Sequence, residues 1–243
     1  MTNAQTSETK TGLQSFEQLA RGRNSCRAYK SDTVDPSIIA QMLRTAGSSP
    51  SWCNVQPWNL TLVSGAARRE LGDAMLAAFD SGKGRAPDVP FPQDYSGVYG
   101  DRRRESGFAL YQALGVGRED KARRASEMRR NFDFFGAPHA IILSTPAELA
   151  PYSMLDCGVF LGSFLLAIEA AHLGAIAQAS VALYSPLLHE MLAIPENDRI
   201  LCAVAFGYPQ DDHAANNFRT SRVAPDDLAN LVETFPVTSA TAN

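Results

Sequence analysis

The sequence predicts an α+β fold in which a small mixed sheet packs between helices. Predicted helices outnumber predicted strands, and the strands are separated by helices. The chain of 243 residues is 45% hydrophobic and 20% charged, which is typical of a soluble globular protein with a sizeable core. We expect a single domain over 1–243, with flexible ends at 1–11 and 237–243.

Helix signals are clearest in the first part of the chain. Asp35 followed by Pro36 is a typical helix start, and Gly47 provides a stop. Apolar residues recur at helical spacing before and after this segment. The predicted elements here are helices near 13–22, 36–47 and 67–79, and a strand over 58–63.

The middle of the chain begins with a long excursion between Ser81 and Val98, which is rich in Gly, Pro and Asp. A loop of this length inside a compact domain is uncommon and often functional. Helical patterns resume near 103–114 and 119–132. A short apolar run over 138–144 predicts a strand.

The second half is dominated by an apolar segment over 154–173, which predicts a central buried helix. Gly158 and Gly162 lie four residues apart on it, so another helix could approach closely, either within the subunit or across a dimer. Further predictions are a helix over 185–195 and a buried strand over 200–206. Periodicity is weak from 211 until 226–235.

Composition excludes several classes of function. The net charge of −4 argues against a nucleic-acid binder, which needs a basic face. The four cysteines are scattered and the histidines stand apart, so neither a metal site nor a disulfide framework is expected. The polar N-terminus carries no signal peptide, and the most apolar stretch is too short for a membrane span. We therefore expect a cytoplasmic protein without membrane or nucleic-acid partners.

The common catalytic and nucleotide-binding motifs are missing from the sequence. It contains no P-loop, no G-x-G-x-x-G, no G-x-S-x-G and no H-E-x-x-H. Composition leaves a Ser/His/Asp hydrolase open, but no serine lies in a context that supports one.

Three segments carry polar or aromatic side chains whose combination indicates ligand binding rather than core packing. The segment 23–27 offers two guanidinium groups and a hydroxyl, which suit a phosphate or another anion. The loop 48–58 combines stiffening prolines, amide side chains and two tryptophans, as recognition of a planar heterocycle requires. Trp58 is expected in the core. The segment 216–222 adds two arginines, which either complete an anion site or belong to a solvated tail.

The order and spacing of these motifs resemble one known family. Arg23-x-Ser25-x-Arg27 is followed about two dozen residues later by Pro50-Ser51-x-x-Asn54-x-Gln56-Pro57-Trp58, and Gly207-Tyr208-Pro209 precedes Arg222. Together they resemble the FMN-dependent nitroreductase family over nearly the whole chain. The stretch 99–138, with its arginine triplet at 102–104, resembles the branch that includes nitrobenzoate reductases.

The resemblance implies an interlocked homodimer with two FMN sites, each built from both subunits. The segment 23–27 would bind the flavin phosphate, the ribityl chain and the N1/O2 edge, and the last arginine would complete the phosphate site. The loop 50–56 would come from the other subunit, and the strip 178–182 would place a backbone amide near flavin N5. The implied cofactor-binding residues are Arg23, Asn24, Ser25, Arg27, Pro50, Ser51, Asn54, Gln56, Ser180, Val181, Ala182, Arg219 and Arg222.

The implied activity is a ping-pong reaction in which NAD(P)H delivers hydride to flavin N5, leaves, and is replaced by the acceptor. The chemistry belongs to the flavin, so no side-chain nucleophile or general base is needed and no catalytic residue is assigned. Arg27 near the N1/O2 edge would stabilise the charge of the reduced ring. The sequence does not choose between NADH and NADPH.

A nitroaromatic compound is the leading acceptor. Substrate-pocket residues are expected at Trp52, Tyr99, Phe108 and Tyr111. Trp52 and Cys53 stand where the family usually has small residues, so Trp52 is expected to overhang the substrate. Quinones, activated alkenes and halogenated aromatics are alternative acceptors, and the run 44–51 also resembles the reductive dehalogenases of iodotyrosine. A non-enzymatic alternative is an anion-binding module.

Overall fold

The computed structural model describes residues 3–233, and within that range the chain forms seven α-helices and four β-strands. The helices are α1 (Asn3–Gly22), α2 (Pro36–Gly47), α3 (Gly65–Ser81), α4 (Gly97–Ala113), α5 (Lys121–Arg129), α6 (Tyr152–Ala170) and α7 (Ser185–Leu192). The strands are β1 (Asn59–Ser64), β2 (His139–Pro146), β3 (Gly174–Gln178) and β4 (Asp198–Gly207). The predicted α+β class is confirmed.

The strands form one sheet in the order β1-β2-β4-β3, and each neighbouring pair is antiparallel. A mixed sheet was predicted from the sequence, because the predicted strands are separated by helices. Here the helical connections return the chain in the opposite direction. Within residues 3–233, parallel pairing is confined to an isolated bridge between Ser25 and Ala175 of β3. That bridge ties the N-terminal arginine segment to the sheet edge.

Helices cover both faces of the sheet. On one face, α2 and α6 bury Met42, Phe160 and Phe164 against the strands. On the other face, α3 and α7 bury Met75 and Leu188. Burial of these apolar side chains stabilises the three layers, each large side chain contributing about 1.5–3 kcal/mol. Trp58 stacks on the buried ring of Phe160, with ring centroids 5.1 Å apart. This contact agrees with the expected place of Trp58 in the core.

One side of α6 is exposed in the single chain, whereas the sequence predicts a central buried helix. Tyr152, Leu155 and Val159 lie on this exposed side. Gly158 and Gly162 face open space rather than a neighbouring helix of the same chain. By length and composition α6 is also long enough to cross a bilayer, a test that the core helix of a soluble protein passes as well. The expected lack of membrane association stays a prediction.

Several boundaries differ from those predicted. The strand β3 was not predicted, because its small apolar residues continue the pattern of α6 after a break of three residues. Helix α4 begins six residues before the predicted start at 103. Helix α1 extends into the expected flexible end 1–11. The predicted periodic segment at 226–235 is described only as far as residue 233, and in that part the structure has a short 3₁₀ turn at Pro225–Asp227. The expected end 237–243 lies outside the described residues.

The excursion after α3 is fixed to the rest of the fold by Asp88. One carboxylate oxygen of Asp88 accepts hydrogen bonds from the backbone N–H of Ile200 at 2.8 Å and from Nε2 of His189 at 2.9 Å. The N–H of Ala86 donates to the carbonyl of Leu183 at 2.9 Å. The excursion therefore lies against α7 and β4.

Candidate functional site

A cavity of about 410 Å³ brings together arginines from both ends of the chain. It is formed by the end of α1, the segment before α2, one residue of α4 and the C-terminal segment. Its lining contains five arginines and no Asp or Glu. The lining residues are Ala20, Arg21, Arg23, Asn24, Ser25, Arg27, Ser106, Phe218, Arg219, Thr220 and Arg222.

Six of the residues predicted to bind a cofactor meet in this arginine cavity: Arg23, Asn24, Ser25, Arg27, Arg219 and Arg222. Arg21 and Ser106 also line the cavity, although neither was predicted from the sequence. Arg21 had been assigned only to the end of the first helix. Ser106 lies within α4, where no sequence signal distinguishes it from a solvated helix position.

Asn216 holds the two ends of the chain together beneath the arginine cavity. Its Oδ1 accepts a hydrogen bond from the backbone N–H of Arg27 at 2.7 Å. Its amide group donates to the carbonyls of Ala28 and Gln210, each at 2.9 Å. Its own carbonyl accepts from Asn24 at 3.2 Å and from Arg219 at 2.9 Å. The sequence analysis included Asn216 in the third segment but gave it no role.

Four of the five arginines in the cavity lack a neutralising partner within the described chain. Arg23, Arg27, Arg219 and Arg222 form no ion pair with any described carboxylate, although Arg21 pairs with Glu17. The Arg27 guanidinium donates to the carbonyl of Ser25 at 3.1 Å and lies over the Phe218 ring. Burial lowers the pKa of Arg27, because a buried charge without an anion is costly. The cavity is therefore suited to an anion with several acceptor oxygens.

The loop 50–56 lies away from the arginine cavity within one chain, since none of its residues lines that cavity. Its conformation is unusual. Cys53, Asn54 and Gln56 all adopt positive φ angles, of 51°, 55° and 52°. Non-glycine residues in this region are strained and cluster at functional sites. The N–H of Gln56 donates to Ser51 Oγ at 2.9 Å, and its side-chain amide donates to Asn54.

The predicted strip 178–182 begins at the last residue of β3 and continues into a 3₁₀ turn at Ala179–Tyr184. Val181 and Ala182 are buried in the core, and Ser180 is partly exposed. The strip is linked to the arginine cavity through β3, where the N–H of Cys26 donates to the carbonyl of Ala175 at 3.0 Å. It does not itself line the cavity.

The four predicted substrate-pocket residues do not meet within one chain. Phe108 and Tyr111 line a second cavity of about 290 Å³, which shares no lining residue with the arginine cavity. Tyr99 is exposed on α4, and Trp52 lies in a cleft beside the start of α6. Their joint role stays a prediction.

The fold and the arginine cavity define an α+β protein with a cationic cavity where the N-terminal and C-terminal arginine segments meet. The model of the nitroreductase family matches residues 20–208. A 4-nitrobenzoate reductase from Nocardioides sp. (strain LMS-CY) is 31% identical over 218 residues, covering 88% of each chain. Nitroreductase NfnB from Mycolicibacterium smegmatis is 31% identical over 210 residues, covering 86% of this chain and 89% of the relative.

A solved structure is similar over the same range. The crystal structure of the FMN-dependent nitroreductase NfnB from Mycobacterium smegmatis in complex with NADPH has a TM-score of 0.86 and 30% sequence identity. The match covers 90% of this chain and 99% of that chain. The chain belongs to the nitroreductase family.

Proposed function

We propose that this chain is a cytoplasmic, homodimeric, FMN-dependent NAD(P)H oxidoreductase that reduces nitroaromatic acceptors. The observation that carries the proposal is the arginine cavity, where unneutralised guanidinium groups from both ends of the chain converge. Relatives in the same family are nitroreductases, and one similar structure is described as FMN-dependent. Family membership and the cavity chemistry therefore support the same cofactor.

The residues of the arginine cavity fit the phosphate of FMN. Arginine forks match phosphate oxygens with paired hydrogen bonds. Arg23 and Arg222 would hold the phosphate from the two ends of the chain, and the hydroxyl of Ser25 adds a donor. The cavity has no carboxylate that would repel the dianion. A phosphate in this position would neutralise arginines that form no ion pair with a carboxylate in the described part of the chain.

Flavin, once bound, supplies the hydride-transfer chemistry, so the chain needs only to bind and orient it. Arg27 is half-buried and fixed through its own backbone, and would direct positive charge at the N1/O2 edge of the ring. The strip 178–182 is anchored by the buried side chains of Val181 and Ala182 and would present a backbone N–H group to the ring. NAD(P)H enters this proposal as the electron donor.

The homodimer is supported by two features of the single chain. The apolar residues Tyr152, Leu155 and Val159 form an exposed strip on α6, beside glycines that leave room for another backbone. The loop 50–56 does not line the arginine cavity of its own chain. A second copy related by two-fold symmetry would bury the strip and could bring its loop to the flavin ring.

The acceptor is tested with purified protein under steady NADPH or NADH. Nitroarenes, quinones, activated alkenes and halogenated aromatics are compared by kcat/KM. We expect nitroarenes to be reduced with the highest kcat/KM. Quinones reduced far faster than every nitroarene would contradict the proposed acceptor class, while the cofactor assignment would stand. A protein that cannot be loaded with FMN would contradict both and favour an anion-binding module.

A further inference from the structure

A groove of about 680 Å³ opens from the arginine cavity and lies between α4 and the C-terminal segment. Ser106, Arg219, Thr220 and Arg222 line both the groove and the cavity, so the two spaces are continuous. The other residues that line the groove are Val98, Asp101, Arg102, Glu105, Ala109, Ser221, Val223, Ala224 and Asp227. A ligand bound in the arginine cavity can therefore extend into the groove.

The groove is separate from the surface that the proposed dimer would bury. None of its lining residues belongs to α6 or to the loop 50–56, the two features that support the homodimer. Its volume lies within the range of about 300–1,000 Å³ that is typical of small-molecule sites. The groove is therefore a candidate ligand site in the proposed dimer as well as in the single chain.

A hydrogen bond between distant segments joins the two walls of the groove. Ser221 Oγ donates to Glu105 Oε1 at 2.9 Å, and the two residues are 116 positions apart in the sequence. Beside this contact, the guanidinium of Arg222 donates to the hydroxyl of Thr220 at 2.6 Å and to the carbonyl of Ser221 at 2.7 Å. The C-terminal segment is thus held against α4, and Arg222 lies where the groove meets the cavity.

The three consecutive arginines of α4 have different surroundings. The guanidinium of Arg103 lies over the ring of Tyr95, and Arg104 pairs with Asp101. Arg102 lines the groove and forms no ion pair with a described carboxylate. It does not line the arginine cavity. A phosphate bound in the cavity therefore leaves Arg102 available to a second anionic group of the same ligand.

Acidic and apolar side chains complete the lining of the groove. Asp101, Glu105 and Asp227 are hydrogen-bond acceptors when they are ionised. Carboxylates bind ribose hydroxyls in dinucleotide sites. Val98 and Val223 add apolar surface for a planar base. This combination matches a nucleotide, which carries phosphate, ribose hydroxyls and a base, better than a simple polyanion, which the carboxylates would repel.

We propose that this groove binds the adenylate half of flavin adenine dinucleotide (FAD), so that the chain accepts FAD as well as FMN. The inference rests on the proposed function, which places the flavin phosphate in the arginine cavity. That phosphate is the group from which FAD continues into its second phosphate, and the groove begins at residues that also line the cavity. Arg102 binds the second phosphate, and the carboxylates accept hydrogen bonds from the ribose hydroxyls.

NAD(P)H carries the same adenylate group and is the other source of this chemistry. The observation that favours FAD is that Arg219 and Arg222 line both the cavity and the groove. The two phosphates of FAD share a bridging oxygen. A dinucleotide whose first phosphate contacts Arg222 therefore has its second phosphate on the side of the groove that contains Arg102.

Fluorescence titration of the apoprotein with FMN and with FAD measures the two affinities. The wild type should bind FAD with an affinity within about tenfold of that for FMN, because the groove accommodates the added half. Arg102→Ala should weaken FAD binding about tenfold or more and leave FMN binding unchanged. Arg103→Ala is the matched control on the same helix and should change neither affinity. FAD binding more than about tenfold weaker than FMN binding, or FAD binding that Arg102→Ala does not weaken, would overturn the inference.

Adenosine monophosphate (AMP) probes the groove separately from the flavin. Isothermal titration should show AMP binding to the FMN-loaded protein and no binding to the FAD-loaded protein, in which the adenylate half already fills the groove. Arg102→Ala should abolish AMP binding, and Arg103→Ala should not. Equal AMP binding to both loaded forms, or no AMP binding to the FMN-loaded protein, would overturn the inference.

The KM for NADPH distinguishes the two sources of the adenylate group. A KM for NADPH that Arg102→Ala raises, together with an unchanged FAD affinity, would assign the groove to the electron donor and overturn the inference. A lowered FAD affinity with an unchanged KM for NADPH supports FAD. FMN binding without FAD binding would overturn the inference alone, whereas a protein that binds neither flavin would contradict the proposed function as well.

Discussion

The side chain of Asn216 accepts a 2.7 Å hydrogen bond from the backbone N–H of Arg27, 189 residues earlier in the chain. Asn216 is 7% exposed, and its amide also donates to Ala28 and Gln210. We expect the geometry of the arginine cavity to depend on this residue, because its side chain joins the N-terminal and the C-terminal segments that carry the arginines. Asn216 is a positioning residue in this account.

The first prediction is that Asn216→Ala lowers FMN affinity at least about tenfold and stability by about 1–3 kcal/mol, since it leaves buried backbone groups without partners. Fluorescence titration with FMN and urea denaturation measure the two effects.

Asn217→Ala is the matched control for this substitution. Its amide donates only to the carbonyl of Asp211, in an exposed position. The control should stay close to wild type in both measurements. Equal effects of the two substitutions would show that Asn216 does not organise the cavity.

The sequence predicted part of the arginine cavity. Arg23 and Arg27 were predicted from spacing, and Arg222 from family resemblance, and the three residues line the same cavity. The contribution of Ser106 could not be predicted, because it depends on how α4 packs against the C-terminal segment. The role of Asn216 was equally hidden, since a buried amide has no local sequence pattern.

The second prediction concerns the exposed strip on α6. Leu155 is 66% exposed in the single chain. A two-fold dimer would bury it twice, with about 1.5–3 kcal/mol from each copy. Leu155→Lys should therefore convert a dimer to a monomer by light scattering and weaken FMN binding.

The control for the dimer experiment is Met128→Lys on α5, another exposed apolar position. It should leave the dimer intact. A wild-type protein that is monomeric at micromolar concentration would contradict the proposed assembly, as would a Leu155→Lys variant that remains dimeric.

The third prediction is a pH dependence of stability from His189. Burial lowers the pKa of His189, but hydrogen bonds to the carbonyl of Ile194 and the carboxylate of Asp88 outweigh burial and raise it above 6.5. A raised pKa in the folded state means that protonated His189 stabilises the fold below the unfolded pKa. This stability is lost as the pH rises through the folded pKa.

The free energy of unfolding should therefore decrease between about pH 6 and pH 8, and this decrease should be smaller in His189→Gln. Urea denaturation across this range measures it. Burial lowers the pKa of His139. The contribution of His139 to the free energy of unfolding therefore has the opposite sign, and it is lost as the pH falls below the ordinary pKa of histidine. His172→Gln serves as the control. If the free energy of unfolding changed with pH equally in wild type and in His189→Gln, the contact between His189 and Asp88 would not stabilise the fold as proposed.

The fold was predictable where local signals were strong. The helix start at Asp35 is confirmed, with the N–H of Ser37 donating to its carboxylate at 2.7 Å. The strand β3 was missed because its first four residues are apolar and follow the apolar helix α6 after only three residues, so the hydrophobic pattern does not mark where the helix ends. The anchoring of the excursion by Asp88 was also hidden, since its partners lie about a hundred residues away.

The central claim is that the arginine cavity binds the phosphate of a flavin, and the most direct measurement compares FMN with riboflavin. The two ligands share the ring and differ by the phosphate. Titration of apoprotein should show FMN binding at least about a hundredfold tighter, because charged hydrogen bonds contribute about 1.5–3 kcal/mol each. Arg27→Ala should weaken FMN binding, whereas Arg103→Ala, whose guanidinium lies over Tyr95, should not. Equal affinities for FMN and riboflavin in the wild type would contradict the account.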